Sequence, residues 1–346
     1  MAQLQRYLLG NDYPNKTFFI DTNVLSELYN FYYLGHCSNK SLTDEIICLI
    51  IDCKTKGYGL CYEDAIQEAS YDYGRNLLNS SKLNAYMIAI DELIQNFNIM
   101  EVFNHKGALK PITEPSSGLA PNYSITAINL LHPWECDGIG CDKIFLMSYF
   151  CILKINELFR TSELPITKVE KLFQSMKDDL NCIMGYEFQL GQMLFIGNDK
   201  AKSNAQGILK IENNHNIKKI INSLWDITSY RRAKRTAQMI EQAKDEIEPQ
   251  QLIYVTYDKA LQNYIEAIDT RDFFVDKKML VNYLFVEDMI SKRYQEEFEK
   301  LYSDILLPEM ESRLYELILN PWTVNMNSIK EKIVKMERYL NILKVS

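Results

Sequence analysis

The sequence predicts an α/β protein whose parallel central sheet is flanked by helices. Two observations carry that prediction. Phe18-Phe19-Ile20 and Leu252-Ile253-Tyr254-Val255 are strand-length apolar runs that stop abruptly at polar corners, Asp21-Thr22-Asn23 and Thr256-Tyr257-Asp258. Each corner leads into apolar residues at helical spacing, the pattern of a strand feeding a helix. A central parallel strand is buried on both faces, so a continuous apolar run suits it better than alternation.

The elements follow in chain order. After the first strand, Val24, Leu25, Leu28, Phe31 and Tyr32 mark a helix. Gly59-Leu60-Cys61-Tyr62 predicts a second short strand, and Glu63 to Tyr73 a helix with Ile66 and Ala69 inward. Leu83 to Met100, Ile144 to Phe159 and Ile166 to Met184 carry helical periodicity. The Pro-, Gly- and Ser-bearing stretch Gly107 to Gly140 predicts a long loop or lid. Trp225 to Arg235 opens a late helix, and the Leu252 strand leads into another through Ala260, Leu261 and Ile265. Val281 to Val286 is a further strand candidate, and the tail from Ile290 is helical and charged, interrupted at Asn320-Pro321. No internal repeat is evident.

At 346 residues the chain fits about two domains. With 47% apolar and 24% charged residues it has the material for a sizeable core, which excludes wholesale disorder. The formal charge of −8 excludes a whole-surface electropositive footprint but leaves room for a local basic patch. The first residues lack the basic start and apolar stretch of a secretory signal. The apolar run Ile46 to Ile51 is far short of the ~20 residues that span a bilayer. Eight scattered cysteines fit reduced thiols. A cytoplasmic protein with no membrane partner is expected.

Asp21 and Asp258 sit just past predicted buried strands, at the sheet edge where ligands gather in open α/β folds. Thr22 and Thr256 stand beside them to orient a carboxylate or a water. An Asp at such a corner also caps the helix that follows, and that reading stands beside the functional one. Asp226 is expected near the start of its helix, where the helix dipole favours an acid; Asp245, toward the far end, is its rival. Asp64 and Glu68, four apart, share a helix face, so either serves as a fourth acid.

The segments FFIDTNVLSEL, YEDAIQEAS, WDITSYRRA and IYVTYDKAL together resemble the acidic signature of PIN-domain nucleases. That signature is an Asp closing the first strand, a Glu on a helix, an Asp opening a later helix, and a T-x-D closing the next strand. The resemblance implies Asp21, Glu68, Asp226 and Asp258 as the catalytic, metal-binding acids, with Asn23 and Thr256 as supporting polar groups. It implies a discontinuous PIN-like sheet domain over 14–75 and 218–290, a large helical insertion over 76–217, and a helical C-terminal extension over 291–346. The stretch between Glu68 and Asp226 is far longer than a compact family member carries, which argues against a minimal PIN toxin.

Clustered carboxylates repel one another, and hard divalent cations resolve the conflict: Mg²⁺ or Mn²⁺ prefers oxygen ligands. Such an ion activates a water and neutralises charge on a phosphate, so no covalent nucleophile is needed. Four His and no Ser-His-Asp spacing agree with that. Arg231, Arg232, Lys234 and Arg235 follow Asp226 on one helix and offer a face for nucleic-acid phosphates, or else a solvated surface paired with Glu241 or Asp245. Lys200, Lys202 and Lys210 add to it more weakly. His132, Cys136 and Cys141 supply three zinc-type ligands at a spacing unlike a common finger, and no glycine-rich phosphate loop occurs. The expected activity is metal-dependent hydrolysis of phosphodiester bonds in RNA through an acidic two-metal site. The alternatives are a structure-selective DNA nuclease of the flap-cleaving type, or a catalytically silent scaffold that binds a protein through the insertion or the C-terminal helices.

Overall fold

The computed structural model describes residues 3–72, 77–108, 143–211, 217–268, 289–309 and 325–341. The chain is α/β and mostly helical, and it divides into two compact units: Met1–Cys141 with Trp225–Gln262, and Asp142–Leu224 with Asn263–Ser346. The expected loop Gly107–Gly140, the strand Val281–Val286, the break at Asn320-Pro321 and the trio His132, Cys136 and Cys141 lie almost wholly outside the described residues.

The first unit holds a four-stranded sheet in the order β1-β6-β2-β3. Strands β2 (Lys16–Ile20) and β3 (Gly59–Cys61) pair in parallel, as do β2 and β6 (Gln251–Thr256). The sheet is mixed rather than purely parallel, because β1 (Gln5–Leu9) adds to β6 antiparallel. As an edge strand β1 alternates half-exposed and exposed positions, so it lacks the dense apolar run that marks β2 and β6.

Pleating sorts the side chains onto two faces. Phe18, Ile20, Ile253 and Val255 face one helical layer: α1 (Thr22–Leu34), α2 (Thr43–Lys56), α3 (Glu63–Ser70), α4 (Ser80–Asp91) and α5 (Ile99–Asn104). Burying each such side chain contributes roughly 1.5–3 kcal/mol. On the opposite face Phe19 stacks on Tyr254, and Tyr254 meets Tyr230 of α10 (Ile217–Gln242) edge-on at 5.3 Å between ring centres. Within the Ile46–Ile51 run of α2, Ile46, Leu49 and Ile50 are fully buried and Cys48 is exposed. Helix α1 ends at Gly35, whose φ of 74° and whose closeness to the Lys106 backbone leave no room for a side chain.

Several helix boundaries depart from expectation. The predicted Leu83–Met100 helix is broken at Phe97-Asn98, where Asn98 and Glu101 form a capping box that starts α5 afresh. Helix α3 stops at Ser70, and Tyr71–Asp72 pairs antiparallel with Leu77–Leu78 as a short ribbon, β4 and β5. The helix predicted over Ile166 to Met184 ends at Leu180, because Asn181 turns left-handed.

In the second unit α6 (Lys143–Arg160), α7 (Pro165–Leu180), α8 (Gly185–Ile196) and α9 (Asp199–Leu209) pack with α12 (Gln295–Leu301) and α13 (Met326–Tyr339). Helix α8 is buried on every side, a core helix rather than an amphipathic one. Its Glu187 accepts a hydrogen bond from Ser148, and Glu337 accepts one from Tyr149 at 2.7 Å. No helix among the described residues is long and apolar enough to cross a membrane.

Candidate acidic site at the sheet edge

The C-terminal ends of β2 and β6 lie side by side, with Ile20 opposite Val255. The backbone N–H of Asp21 donates to the Val255 carbonyl at 3.0 Å, so the first acid continues the ladder by one bond. Asp21 is both capping residue and buried acid, with 2% of its surface exposed. Its Oδ1 accepts from the Thr22 N–H at 2.8 Å; its Oδ2 accepts from the Thr256 hydroxyl at 2.8 Å and from Asn23 Nδ2 at 3.2 Å. The Thr256 oxygen also accepts the Asp258 N–H at 3.0 Å, so one hydroxyl links the two corners. Asp258 caps α11 (Lys259–Ile268): its Oδ1 takes the N–H groups of Ala260 and Leu261 at 2.8 and 3.0 Å. The capping reading and the site reading therefore hold together at both corners.

Glu68 reaches this edge from α3, accepting a hydrogen bond from the Thr22 hydroxyl. Its neighbour Asp64 turns elsewhere and forms an ion pair with Arg232. Glu68 thus meets Thr22, the residue after Asp21, while Asp64 meets Arg232.

Asp226 is buried in α10, but not at its start. The helix begins at Ile217, because Ile220, Ile221, Leu224 and Trp225 continue the apolar pattern upstream with no breaker. Dipole stabilisation at a helix N-terminus does not apply to Asp226, which sits well inside the helix. The rival Asp245 is exposed, beyond the end of α10.

Electrostatics tie the acids together. The Asp21 carboxyl is pushed up from 3.8 to about 7, first by burial, then by the negative charge of Asp226; Asp258 raises it further against the Thr256 hydrogen bond. Tyr254 lies beneath, fully buried, with its hydroxyl 3.4 Å from that of Ser229 on α10. Burial raises the Tyr254 phenol well above its ordinary value, and the charges of Asp21, Asp226 and Glu68 add to the rise. Four carboxylates from β2, α3, α10 and the β6 corner thus act on one region of the first unit.

The chain matches no family model, no curated protein and no solved structure. Its chemistry therefore rests on these residues.

The donors are carboxylate and hydroxyl oxygens, with no thiolate or imidazole among them, which suits a hard divalent cation. The buried, mutually repelling charge on Asp21 is what such a cation offsets. Among the described residues no three His, Cys, Asp or Glu are already gathered tightly enough to grip an ion. The acids stand within reach of one another's charge without forming a closed cage.

The basic residues divide. Arg232 is committed to Asp64. Lys234 lies over the Tyr230 ring at 5.8 Å, Arg231 is half-buried and Arg235 is exposed. Lys200, Lys202 and Lys210 belong to the second unit. Sequence reasoning missed Tyr254, Ser229 and the structural partner of Arg232. A signal for Tyr254 was present: it lies two residues before Thr256, on the same strand face, where the pleat points both toward the acids.

Proposed function

We propose that this chain is a metal-dependent, PIN-like nuclease that hydrolyses phosphodiester bonds, with RNA as its substrate and Mg²⁺ or Mn²⁺ held by Asp21, Glu68, Asp226 and Asp258. The observation that supports it most is the buried Asp21 carboxyl, opposed by two neighbouring carboxylates at the C-terminal edge of adjacent parallel strands. When bound, the ion supplies an activated water and neutralises charge on the phosphate.

The protein's own residues prepare the site. Thr22 N–H, Thr256 and Asn23 fix both oxygens of Asp21, so the carboxylate keeps one orientation. Thr22 holds Glu68 beside it, and the cap on α11 leaves Asp258 Oδ2 outside the two capping bonds. Arg231, Lys234 and Arg235 on α10 are the groups for backbone phosphates, which position a strand without reading its sequence.

The test is incubation of labelled single-stranded RNA, single-stranded DNA and branched DNA with Mn²⁺, Mg²⁺ or EDTA. RNA cleavage that needs a divalent ion and is lost in Asp21→Asn supports the proposal. Preference for branched DNA replaces RNA with the flap-type substrate. Inertness of both proteins under every condition supports the competing reading, a silent PIN-like scaffold that binds a protein. The observation in favour of that reading is the absence, among the described residues, of a ready-made ion cage.

A further inference from the structure

Helix α3 belongs to the layer on one face of the sheet, since Ala65 and Ile66 pack into the core beneath Phe18 and Ile20. Helix α10 covers the other face, where Tyr230 meets Tyr254. Each layer carries one acid of the proposed site, Glu68 on α3 and Asp226 on α10, and the charges of both act on the buried Tyr254. Arg232 of α10 reaches Asp64 of α3, whose side chain is only 7% exposed. Asp64 lies one helical turn before Glu68, so anything that fixes Asp64 fixes Glu68. A guanidinium against a nearly buried carboxylate is directional and weakly screened by salt.

From this juxtaposition we propose that Asp64 and Arg232 form a clamp across the sheet edge that sets the separation of Glu68 and Asp226, and through it the affinity of the site for a divalent cation. Both are positioning residues; neither touches the ion or the substrate. The proposal rests on the cation site described above and removes Arg232 from the phosphate-binding face. On one face of α3, Asp64 meets Arg232 and Glu68 meets the Thr22 hydroxyl.

The experiment compares the full-length chain with Arg232→Gln, Asp64→Asn, the double variant and Arg232→Lys. Mn²⁺ binding is read by electron paramagnetic resonance without substrate. In parallel, the distance distribution between nitroxide side chains at the exposed positions 63 and 235 is read by double electron–electron resonance in EDTA. The clamp predicts a narrow distribution in the parent and a broader one in Arg232→Gln. It predicts Mn²⁺ affinity at least tenfold weaker in each single variant, no further loss in the double variant, and partial recovery in Arg232→Lys. Non-additivity of this kind marks residues that act as one unit. If a single variant does not fold, the double variant and Arg232→Lys, which leave no lone buried charge, still give both readings. Unchanged distances in Arg232→Gln and in the double variant overturn the clamp whether or not Mn²⁺ binds, as do additive losses of affinity. A parent that binds no Mn²⁺ but shows the predicted change in distances retains the cross-layer clamp and overturns its link to a cation.

Discussion

Replacing Asp21 by Asn should make the metal-free protein more stable at neutral pH while destroying its proposed activity. The Asp21 carboxyl has a folded pKa of about 7 against 3.8 for an ordinary carboxyl. Between those values the native state holds a proton that the unfolded chain releases, so native stability falls as pH rises through that window. This contribution is most favourable below 3.8 and is lost as pH passes 7. At pH 7.5 the shift corresponds to a penalty of about 4 kcal/mol, and at pH 5 to about 2 kcal/mol. An Asn avoids both penalties. It keeps the acceptor for the Thr22 N–H, and the Thr256 hydroxyl can turn to accept from it, but its amide faces the donor of Asn23, at a cost of about 1 kcal/mol. The net gain is about 3 kcal/mol at pH 7.5 and about 1 kcal/mol at pH 5. Urea unfolding in EDTA measures it, with Trp225, 2% exposed in the first unit, as the fluorescent reporter and the other two tryptophans replaced by Phe. A variant less stable than the parent at pH 7.5, or a difference equal at both pH values, refutes the reasoning.

Other consequences are equally open to measurement. Thr256→Val keeps the shape but strips the hydroxyl shared by Asp21 and Asp258; it should lower stability by about 1–3 kcal/mol and weaken Mn²⁺ binding in calorimetry. Arg231→Gln with Arg235→Gln should raise KM for RNA and reduce the salt slope of log affinity by about 1.4 for two lost phosphate contacts, with Mn²⁺ affinity unchanged. Glu27 is buried and accepts from the Ser38 N–H at 2.7 Å, the Ser38 hydroxyl at 2.5 Å and the Tyr257 hydroxyl at 3.2 Å. Glu27→Ala removes the acceptor of those three bonds and should lower stability by about 1–3 kcal/mol, read as a lower urea midpoint with the slope preserved.

How much could be read in advance follows from which forces are local. Strands β2 and β6 were legible because a strand buried on both faces writes its burial as a continuous apolar run, and Asp21 and Asp258 were legible because each run ends at an acid. Strand β1 was not, because QRYLL satisfies its backbone through Tyr254 and its neighbours on β6, far away in sequence. The start of α10 was misplaced because Asp226 resembles an N-terminal acid, whereas the deciding fact is an apolar face that begins at Ile220. Arg232 was grouped with Arg231, Lys234 and Arg235 because charge composition along a helix does not say which side chain meets an acid from another layer. Likewise Asp64 and Glu68 are equivalent by spacing, and their contacts with Arg232 and Thr22 come from other parts of the chain.

The central claim is that Asp21, Glu68, Asp226 and Asp258 jointly capture a divalent cation. Anomalous diffraction from crystals soaked in Mn²⁺ addresses it without reference to turnover. The account predicts a manganese peak bonded to Asp21 and to at least one of Asp226 and Asp258, absent from Asp21→Asn crystals grown alike. Full-occupancy manganese elsewhere on the molecule, with these four carboxylates left unliganded, would contradict it.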